Sequence, residues 1–470
     1  MNKAELLSIL ENDMEYSAFQ DDFESHDFQL GGCTSYLERS TPRDLCFYDL
    51  KEGDKAQNRL KKRLSASKVA LLILNRHSEE LRDVLEKTPH LVIKKNHWIS
   101  AQKKICDHFY PLELESKKMI GVTGTNGKTT TVYLALQILD QIGERGFSIG
   151  SLGVRNSSQK LEDIQDMTTP PYPELRRLLF HYFKNYNVCV MEVSSHGLEQ
   201  ERVYGLLYDA AGWTNFDRDH LDYHKTLEKY FEAKLKFPKH HLKPNKRLLV
   251  SRGEKELIER LNEIPIQTIK TRDESKMLYP KEHFFSASFN RKNMMMALGL
   301  IEETYGKTIP IQWEEMAGPP GRFEILKKGH KMGIIDSAHT PDAFKSILKA
   351  IRESFPERKI ITVFGCGGDR DRGKRALMGK MAERYSDITI VTSDNPRSEK
   401  PEQIIDEIIS QMKGPYHRKT DRSQAIALGV SLLKDQNLLA ILGKGAENYQ
   451  IIGSKRKVFS DRDEFCKYIS

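Results

Sequence analysis

Short apolar runs, each followed by a polar, glycine-rich loop and then an amphipathic stretch, recur along the chain. Met119, Ile120 and Val122 make one such run, Gly121 to Thr130 the loop, and Thr131-Val-Tyr-Leu-Ala-Leu-Gln-Ile-Leu139 the helix behind it. Further strand signals lie at Val69–Leu74, Asn187–Val193 and Leu248–Val250. Beyond the Gly318-Pro-Pro-Gly321 turn the rhythm becomes regular. Gly333–Ile335 runs into Asp336-Ser-Ala-His339, and Ile360–Phe364 into Gly365-Cys-Gly-Gly-Asp-Arg-Asp371. Ile388–Thr392 runs into Asp394-Asn-Pro-Arg397, and Leu438–Leu442 into Gly443-Lys-Gly445. Continuous apolar strands alternating with helices predict an α/β protein built on doubly wound parallel sheets. Ligands of such sheets bind at the carboxyl ends of the strands, which is where these polar loops fall.

A chain of 470 residues is too long for one hydrophobic core, and ordinary domain sizes suggest about three units. Breaks in the pattern put them at 1–115, 116–316 and 317–470. The six cysteines are scattered without a Cys-x-x-Cys pair, which points to buried thiols in a reducing cytosol and away from a disulfide framework or zinc cage. The formal charge of +8 is balanced locally by Asp and Glu almost throughout, and Lys61-Lys-Arg63 reads as a solvated helix face. The mild positive excess suits an anionic small-molecule substrate, and nucleic acid is not an expected partner. No apolar run reaches the ~18 residues of a membrane span, and Met1-Asn-Lys-Ala-Glu starts no signal peptide, so the expected location is the cytoplasm without membrane insertion.

The loop Gly121-Val-Thr-Gly-Thr-Asn-Gly-Lys-Thr-Thr130 carries the strongest chemistry. Gly124 and Gly127, with Thr125 and Asn126 between them, let backbone N–H groups approach a polyphosphate. The following helix N-terminus adds positive charge, Lys128 neutralises phosphate oxygens, and the Thr129 hydroxyl, next to Thr130, can ligate Mg²⁺. Val122 stands where the general pattern has its first glycine. ATP is the expected ligand. Glu192, at the end of the strand from Asn187, is a hard oxygen donor suited to Mg²⁺. His220 and His224 have the spacing to share a helix face and bind zinc, but no third soft ligand is nearby. Tyr230-Phe-Glu-Ala-Lys-Leu-Lys236, taken alone, is an amphipathic helix with solvated lysines.

Taken in order, these segments closely resemble the Mur ligase family, the ATP-dependent amino-acid ligases of peptidoglycan synthesis. The resemblance rests on Thr123–Thr130, Met191–Leu198, Asn215–His224, Ala233-Lys234, Gly321-Arg-Phe-Glu324, Asp336–Asp342 and Gly365–Lys374, and covers about residues 117–460. It implies an N-terminal α/β domain for the UDP-sugar, a central P-loop ATPase-like parallel sheet, and a C-terminal Rossmann-like domain bringing the amino acid. It implies that Lys234 is carbamylated and, with Thr129, Glu192 and His220, holds Mg²⁺. Lys128 joins Lys234, His220 and Glu192 as catalytic residues. Asn293 resembles an adenine contact, and Arg322 and Asp336 fall where the family holds nucleotide.

The resemblance extends to the other substrates. It implies that Thr168, Thr169, Ser194, Gln200 and Arg202 hold UDP-MurNAc-L-Ala-D-Glu, with Ser35 at the uridine. Asp394, Asn395, Pro396 and Arg397, completed by Arg370, Gly443 and Glu447, imply a pocket for meso-diaminopimelate. An arginine fork can grip the distal carboxylate that lysine lacks, while Glu447 receives the distal ammonium. The implied reaction joins diaminopimelate to the γ-carboxylate of D-Glu through an acyl phosphate. The expected form is a monomer. A lysine-adding or folylpolyglutamate-type ligase, or a catalytically silent scaffold, are the alternatives. Ser337 and Ala446 replace a tyrosine and a histidine of the family motifs, and the N-terminal region lacks a clear Asp-Ser-Arg uridine motif.

Overall fold

The computed structural model describes residues 1–11, 28–164, 167–276, 279 and 282–469. The chain is α/β and divides into two compact units, one comprising Met1–Thr271 with Leu298–Ile309, the other Arg272–Ala297 with Pro310–Ser470.

The first unit carries two sheets. The smaller has four parallel strands in chain order, Gly32–Thr34, Asp44–Tyr48, Leu71–Leu74 and His90–Val92. Leu71-Leu-Ile-Leu74 is apolar without alternation because both faces are covered. Leu71 and Ile73 join a core with Leu6, Leu10 and Ile105, whereas Leu72 and Leu74 join one with Leu60, Leu64 and Leu85. The larger sheet has eight strands, in the order Thr268–Lys270, Leu248–Val250, Ala210–Trp213, Lys118–Thr123, Val188–Glu192, Gly146–Gly150, Gly153–Arg155 and Lys160–Glu162. It is parallel except for the last two strands, which turn back antiparallel. Lys118–Thr123, central and parallel to both neighbours, aims the glycine loop out of the carboxyl edge. Gly127 then takes φ +85° as N-cap of the helix Lys128–Gln141.

The second unit holds a six-stranded sheet in the order Glu324–Lys328, Lys331–Asp336, Asn437–Leu442, Lys359–Phe364, Ile388–Val391 and His417–Arg418. All neighbours are parallel but the first pair. The antiparallel edge strand Glu324–Lys328 departs from the purely parallel expectation, because a short Gly329-His330 turn folds it straight back on Lys331–Asp336. A separate antiparallel hairpin pairs Tyr449–Ile452 with Lys455–Val458. The last long strand, Asn437–Leu442, inserts between Lys331–Asp336 and Lys359–Phe364. The loops after Asp336, Phe364, Val391 and Leu442 therefore leave the same edge. Among the described residues no helix is long and apolar enough to cross a membrane.

Candidate active site

In the first unit, parallel pairing sets Val122 against Glu192, so the Glu192 carboxylate and the glycine loop leave adjacent strands side by side. Glu192 is only 1 % exposed. Its Oε2 accepts from Thr129 Oγ1 at 3.0 Å and its Oε1 from the Ser151 N–H at 2.8 Å. Opposite, the Gly124 carbonyl accepts from two lysines, Lys128 Nζ and Lys234 Nζ, each at 2.8 Å. Lys234, on the helix Leu227–His240, is 1 % exposed, which corrects its expected solvated position. The apolar Tyr230, Phe231 and Phe237 of that helix fix which face is buried, and they carry Lys234 in with them.

The electrostatics follow from burial. Lys234 has no ion pair among the described residues, and its ammonium lies over the Tyr230 ring at 4.7 Å. Burial, then repulsion from Lys128, pushes its pKa well below the usual lysine value. Burial thus disfavours the charged ammonium relative to the neutral amine. His220 does not lie on a helix with His224, as the zinc reading required. It precedes the short helix Leu221–His224 in a left-handed conformation, φ +53°. His224 is buried and shares a 3.0 Å hydrogen bond with Ser195 Oγ. Burial lowers the pKa of both imidazoles and leaves neutral nitrogen donors. Among the described residues no group of three His, Cys, Asp or Glu could hold a metal by itself. Thr129 and Glu192 are paired hard-oxygen donors, which fits Mg²⁺, an ion that takes its other ligands from phosphate and water.

The residues expected to hold the UDP substrate meet beside Glu192. Thr169 Oγ1 donates to the Glu192 carbonyl at 3.0 Å and accepts from the Ser194 N–H at 2.9 Å. Thr168 Oγ1 lies 3.2 Å from Ser151 Oγ. Arg202 donates through Nη2 to Gln200 Oε1 at 2.7 Å and through Nη1 to the Thr169 carbonyl at 2.5 Å. It has no carboxylate partner among the described residues. Burial pulls its pKa down, a penalty that a bound anion would relieve. The Ser35 N–H faces Glu174 Oε1 at 3.4 Å, and its neighbour Tyr36 sits within electrostatic reach of Arg202.

The second unit gathers the remaining candidates. Asp336 Oδ2 accepts from the Phe323 N–H and Oδ1 from the Ala338 N–H, both at 2.8 Å, so it ties Arg322's loop to the strand end. Burial raises its pKa, with Arg322 opposing. Asn293 is buried on the helix Ser288–Tyr305, and the buried Ser337 hydroxyl has no hydrogen-bond partner among the described residues. Arg397 takes φ +53° and donates through Nη1 to the Gly368 carbonyl at 2.8 Å and the Asn395 carbonyl at 3.3 Å. Among the described residues its Nε and Nη2 are unengaged, which leaves one edge of the guanidinium for a carboxylate. Asn395 Nδ2 donates to Glu447 Oε2 at 3.0 Å. Arg370 is exposed, and Gly443 packs against Asp394.

Sequence reasoning missed several groups. Lys444, 2 % exposed, donates to Glu447 Oε2 at 2.7 Å. Arg422 is buried against Asp461 through two 2.7 Å bonds and donates to the carbonyls of Ser393 and Leu442, just before Asp394 and Gly443. Lys444 stood in view within Gly443-Lys-Gly445. Arg422 and Asp461, in contrast, sit in ordinary helical sequence and carry no local signal.

Two family models match the chain, the Mur ligase middle domain over residues 122–308 and the Mur ligase glutamate ligase domain over 321–445. The UDP-N-acetylmuramoyl-L-alanyl-D-glutamate–2,6-diaminopimelate ligase 1 of Clostridium acetobutylicum is 34 % identical over 404 residues, covering 80 % of this chain and 83 % of its own. The corresponding ligase of Aquifex aeolicus is 36 % identical over 408 residues, covering 81 % and 83 %. A solved structure of a UDP-N-acetylmuramoyl-L-alanyl-D-glutamate–2,6-diaminopimelate ligase aligns over 99 % of this chain and 98 % of its own, with TM-score 0.57 and 25 % identity. The MurF ligase from Thermotoga maritima, solved with ADP, shares the fold at TM-score 0.60 and 16 % identity.

Proposed function

The chain belongs to the Mur ligase family, and from that premise we propose that it is the ligase joining meso-2,6-diaminopimelate to the D-Glu γ-carboxylate of UDP-MurNAc-L-Ala-D-Glu, using ATP, in peptidoglycan precursor synthesis. One observation carries the reading. The phosphate-type loop meets the Glu192 carboxylate through Thr129 and the buried Lys234 amine through the Gly124 carbonyl, which also holds Lys128. A scaffold that only binds has no use for a buried lysine without an ion pair among the described residues, since burying such a charge costs folding energy.

The reaction needs the γ-carboxylate made electrophilic, since oxide is a poor leaving group. A carboxylate oxygen attacks the γ-phosphorus of ATP, ADP leaves, and an acyl phosphate forms. The α-amine of diaminopimelate then attacks the acyl carbon, phosphate leaves, and the nitrogen gives up a proton. The N–H groups at Gly127–Thr130, where the helix begins, and the Lys128 ammonium spread the charge of the transferring phosphoryl group, while the Thr125 and Asn126 N–H groups are held by Asn215. Thr129 and Glu192 would hold Mg²⁺ with His220 and a carbamylated Lys234, and when bound the ion neutralises phosphate charge as a Lewis acid. Carbamylation turns the neutral Lys234 amine into an anionic oxygen donor. Arg202, with Thr168, Thr169, Ser194 and Gln200, orients the dipeptide end of the UDP substrate, and Ser35 contacts the uridine. Asn293, Arg322 and Asp336 contact the nucleotide. Arg397 reads the distal carboxylate of diaminopimelate, with Arg370, Asp394, Asn395, Pro396, Gly443 and Glu447 completing that pocket. Because Lys444 already neutralises much of Glu447, the distal ammonium would share that carboxylate.

We read the division 1–115, 116–316 and 317–470 as the UDP-sugar, ATP and amino-acid domains, and the enzyme as a cytoplasmic monomer. Free cysteines, five of the six buried, support a reducing compartment. Phosphate release from ATP, measured with the UDP-dipeptide plus diaminopimelate, lysine or glutamate in turn, tests the function. Release is expected with diaminopimelate alone. Preference for lysine would move the chain to another specificity, and release with none would favour a silent scaffold.

A further inference from the structure

Among the described residues the hairpin of Tyr449–Ile452 and Lys455–Val458 pairs with no further strand. Its outer strand, Lys455-Arg456-Lys457-Val458, is exposed at every position, with Val458 at 91 %. Two-stranded ribbons are marginal by themselves, so something else must hold this one. Its inner strand and the turn residue Gly453 after it are tied to the loop Asp394–Arg397 by four hydrogen bonds. Gln450 Nε2 donates to the Asp394 carbonyl at 2.5 Å, and the Ile451 N–H to Asn395 Oδ1 at 2.9 Å. The Arg397 N–H donates to the Ile451 carbonyl at 3.1 Å, and the Gly453 N–H to the Arg397 carbonyl at 2.7 Å. Three of the four loop residues are thus fixed by one short strand.

Two details make this more than a docked turn. Arg397 is a non-glycine residue held at φ +53°, a conformation that persists only where the surroundings impose it. Here the imposing bonds are those to Ile451 and Gly453 on either side of its Cα. Asn395 is used at both ends, taking the Ile451 N–H on Oδ1 while its Nδ2 holds Glu447. The same strand thereby fixes the backbone from which the Arg397 guanidinium springs and, through Asn395, one contact of the Glu447 carboxylate. These are the two charges that a diamino diacid would meet at its far end.

We propose that the hairpin Tyr449–Val458 is the specificity clamp of the amino-acid site, and that Gln450 is a positioning residue through which it fixes Asp394, at the start of the loop that leads to Arg397. The inference rests on the reading of Asp394–Arg397 as the diaminopimelate loop. Gln450 is buried, and its amide acts on backbone, so its effect falls on the geometry of the cationic fork and not on the nucleotide.

The test uses the full-length enzyme with Gln450→Leu, which keeps the volume and removes the donor, and Gln450→Glu, which sets an acceptor against the Asp394 carbonyl. The Leu variant should raise KM for diaminopimelate about tenfold, the worth of one buried hydrogen bond, with kcat within twofold and KM for ATP and the UDP-dipeptide unchanged. The Glu variant should lose more. Any residual lysine turnover should not change, so discrimination falls through diaminopimelate alone. In the wild type, amide exchange at Arg397, Ile451 and Gly453 should slow on adding diaminopimelate and not on adding lysine. Unchanged KM in a folded Leu variant, an equal loss on every substrate, or no ligand effect on those amides would overturn the clamp while leaving the enzyme's function intact. A wild-type enzyme that makes product with lysine and not diaminopimelate would overturn both.

Discussion

Replacing Gly124 with alanine probes the phosphate loop where the fold leaves it least room. Gly124 holds φ +143°, and a Cβ built there would stand 1.9 Å from Thr214 Oγ1 and 3.2 Å from the Thr214 backbone nitrogen. Thr214 is not free to turn away, because its one hydroxyl proton goes to the Asn126 carbonyl at 2.6 Å. Holding alanine in that backbone region costs about 1–3 kcal/mol. Breaking the threonine's hydrogen bond adds about 1 kcal/mol. The total, about 2–4 kcal/mol, divides between folding and ligand binding. If about 1.5–3 kcal/mol falls on binding, ATP affinity drops by one to two powers of ten, since about 1.4 kcal/mol is tenfold. The displaced Gly124 carbonyl also moves Lys128 and Lys234, so kcat should fall as well, while affinity for the UDP-dipeptide stays near normal. Calorimetric titration of ATP, phosphate release and a thermal melt separate the three effects. Pairing Gly124→Ala with Thr214→Ala removes the 1.9 Å contact, so the double variant should be no worse than Gly124→Ala alone. Ordinary ATP affinity in Gly124→Ala, or strictly additive losses in the pair, would refute the reasoning.

Lys234→Met should abolish turnover and leave UDP-substrate binding intact. Removing dissolved CO₂ should lower wild-type activity and added bicarbonate restore it, whereas bicarbonate should do nothing for the variant; substantial turnover by Lys234→Met would remove the carbamate from the mechanism. Arg397→Ala should forfeit a charge-assisted fork worth about 2 kcal/mol, roughly thirtyfold in kcat/KM for diaminopimelate. Arg397→Lys should recover only part of it, and an equal proportional loss with lysine would show that Arg397 supports the loop without reading the substrate. Burial, then repulsion from His220 and His224, pushes the pKa of His196 down to about 4. Between the ordinary histidine value and about 4 the unfolded chain binds a proton that the folded chain refuses, so stability should fall as pH drops through that window and be fully present above it. Urea midpoints at pH 7.5 and 5 should show a smaller decline in His196→Leu than in the wild type; equal declines would exonerate this imidazole.

The phosphate loop, Glu192 at its strand end and the other loops at the strand ends were legible in the sequence because each is local, whereas the bond that joins Thr129 to Glu192 spans 63 residues. An apolar run, two glycines and a Lys-Thr pair specify strand, loop and helix start within a dozen residues, and strand ends bring their own carboxylates. Lys234 was different. Its helix looks solvated along the sequence, and only packing against the Gly124 carbonyl, 110 residues away, makes it a buried amine with a depressed pKa. The same holds for His220, whose left-handed backbone no spacing rule predicts, and for Arg422, which acquires meaning only beside Asp461. The hairpin that grips Asp394–Arg397 belongs to this second group, since its bonds join segments more than fifty residues apart through backbone groups that every sequence shares. Periodicity and turn chemistry act over neighbours in the chain. Desolvation, charge pairing and long-range hydrogen bonds depend on which segments meet, and that is decided only when the sheets pack.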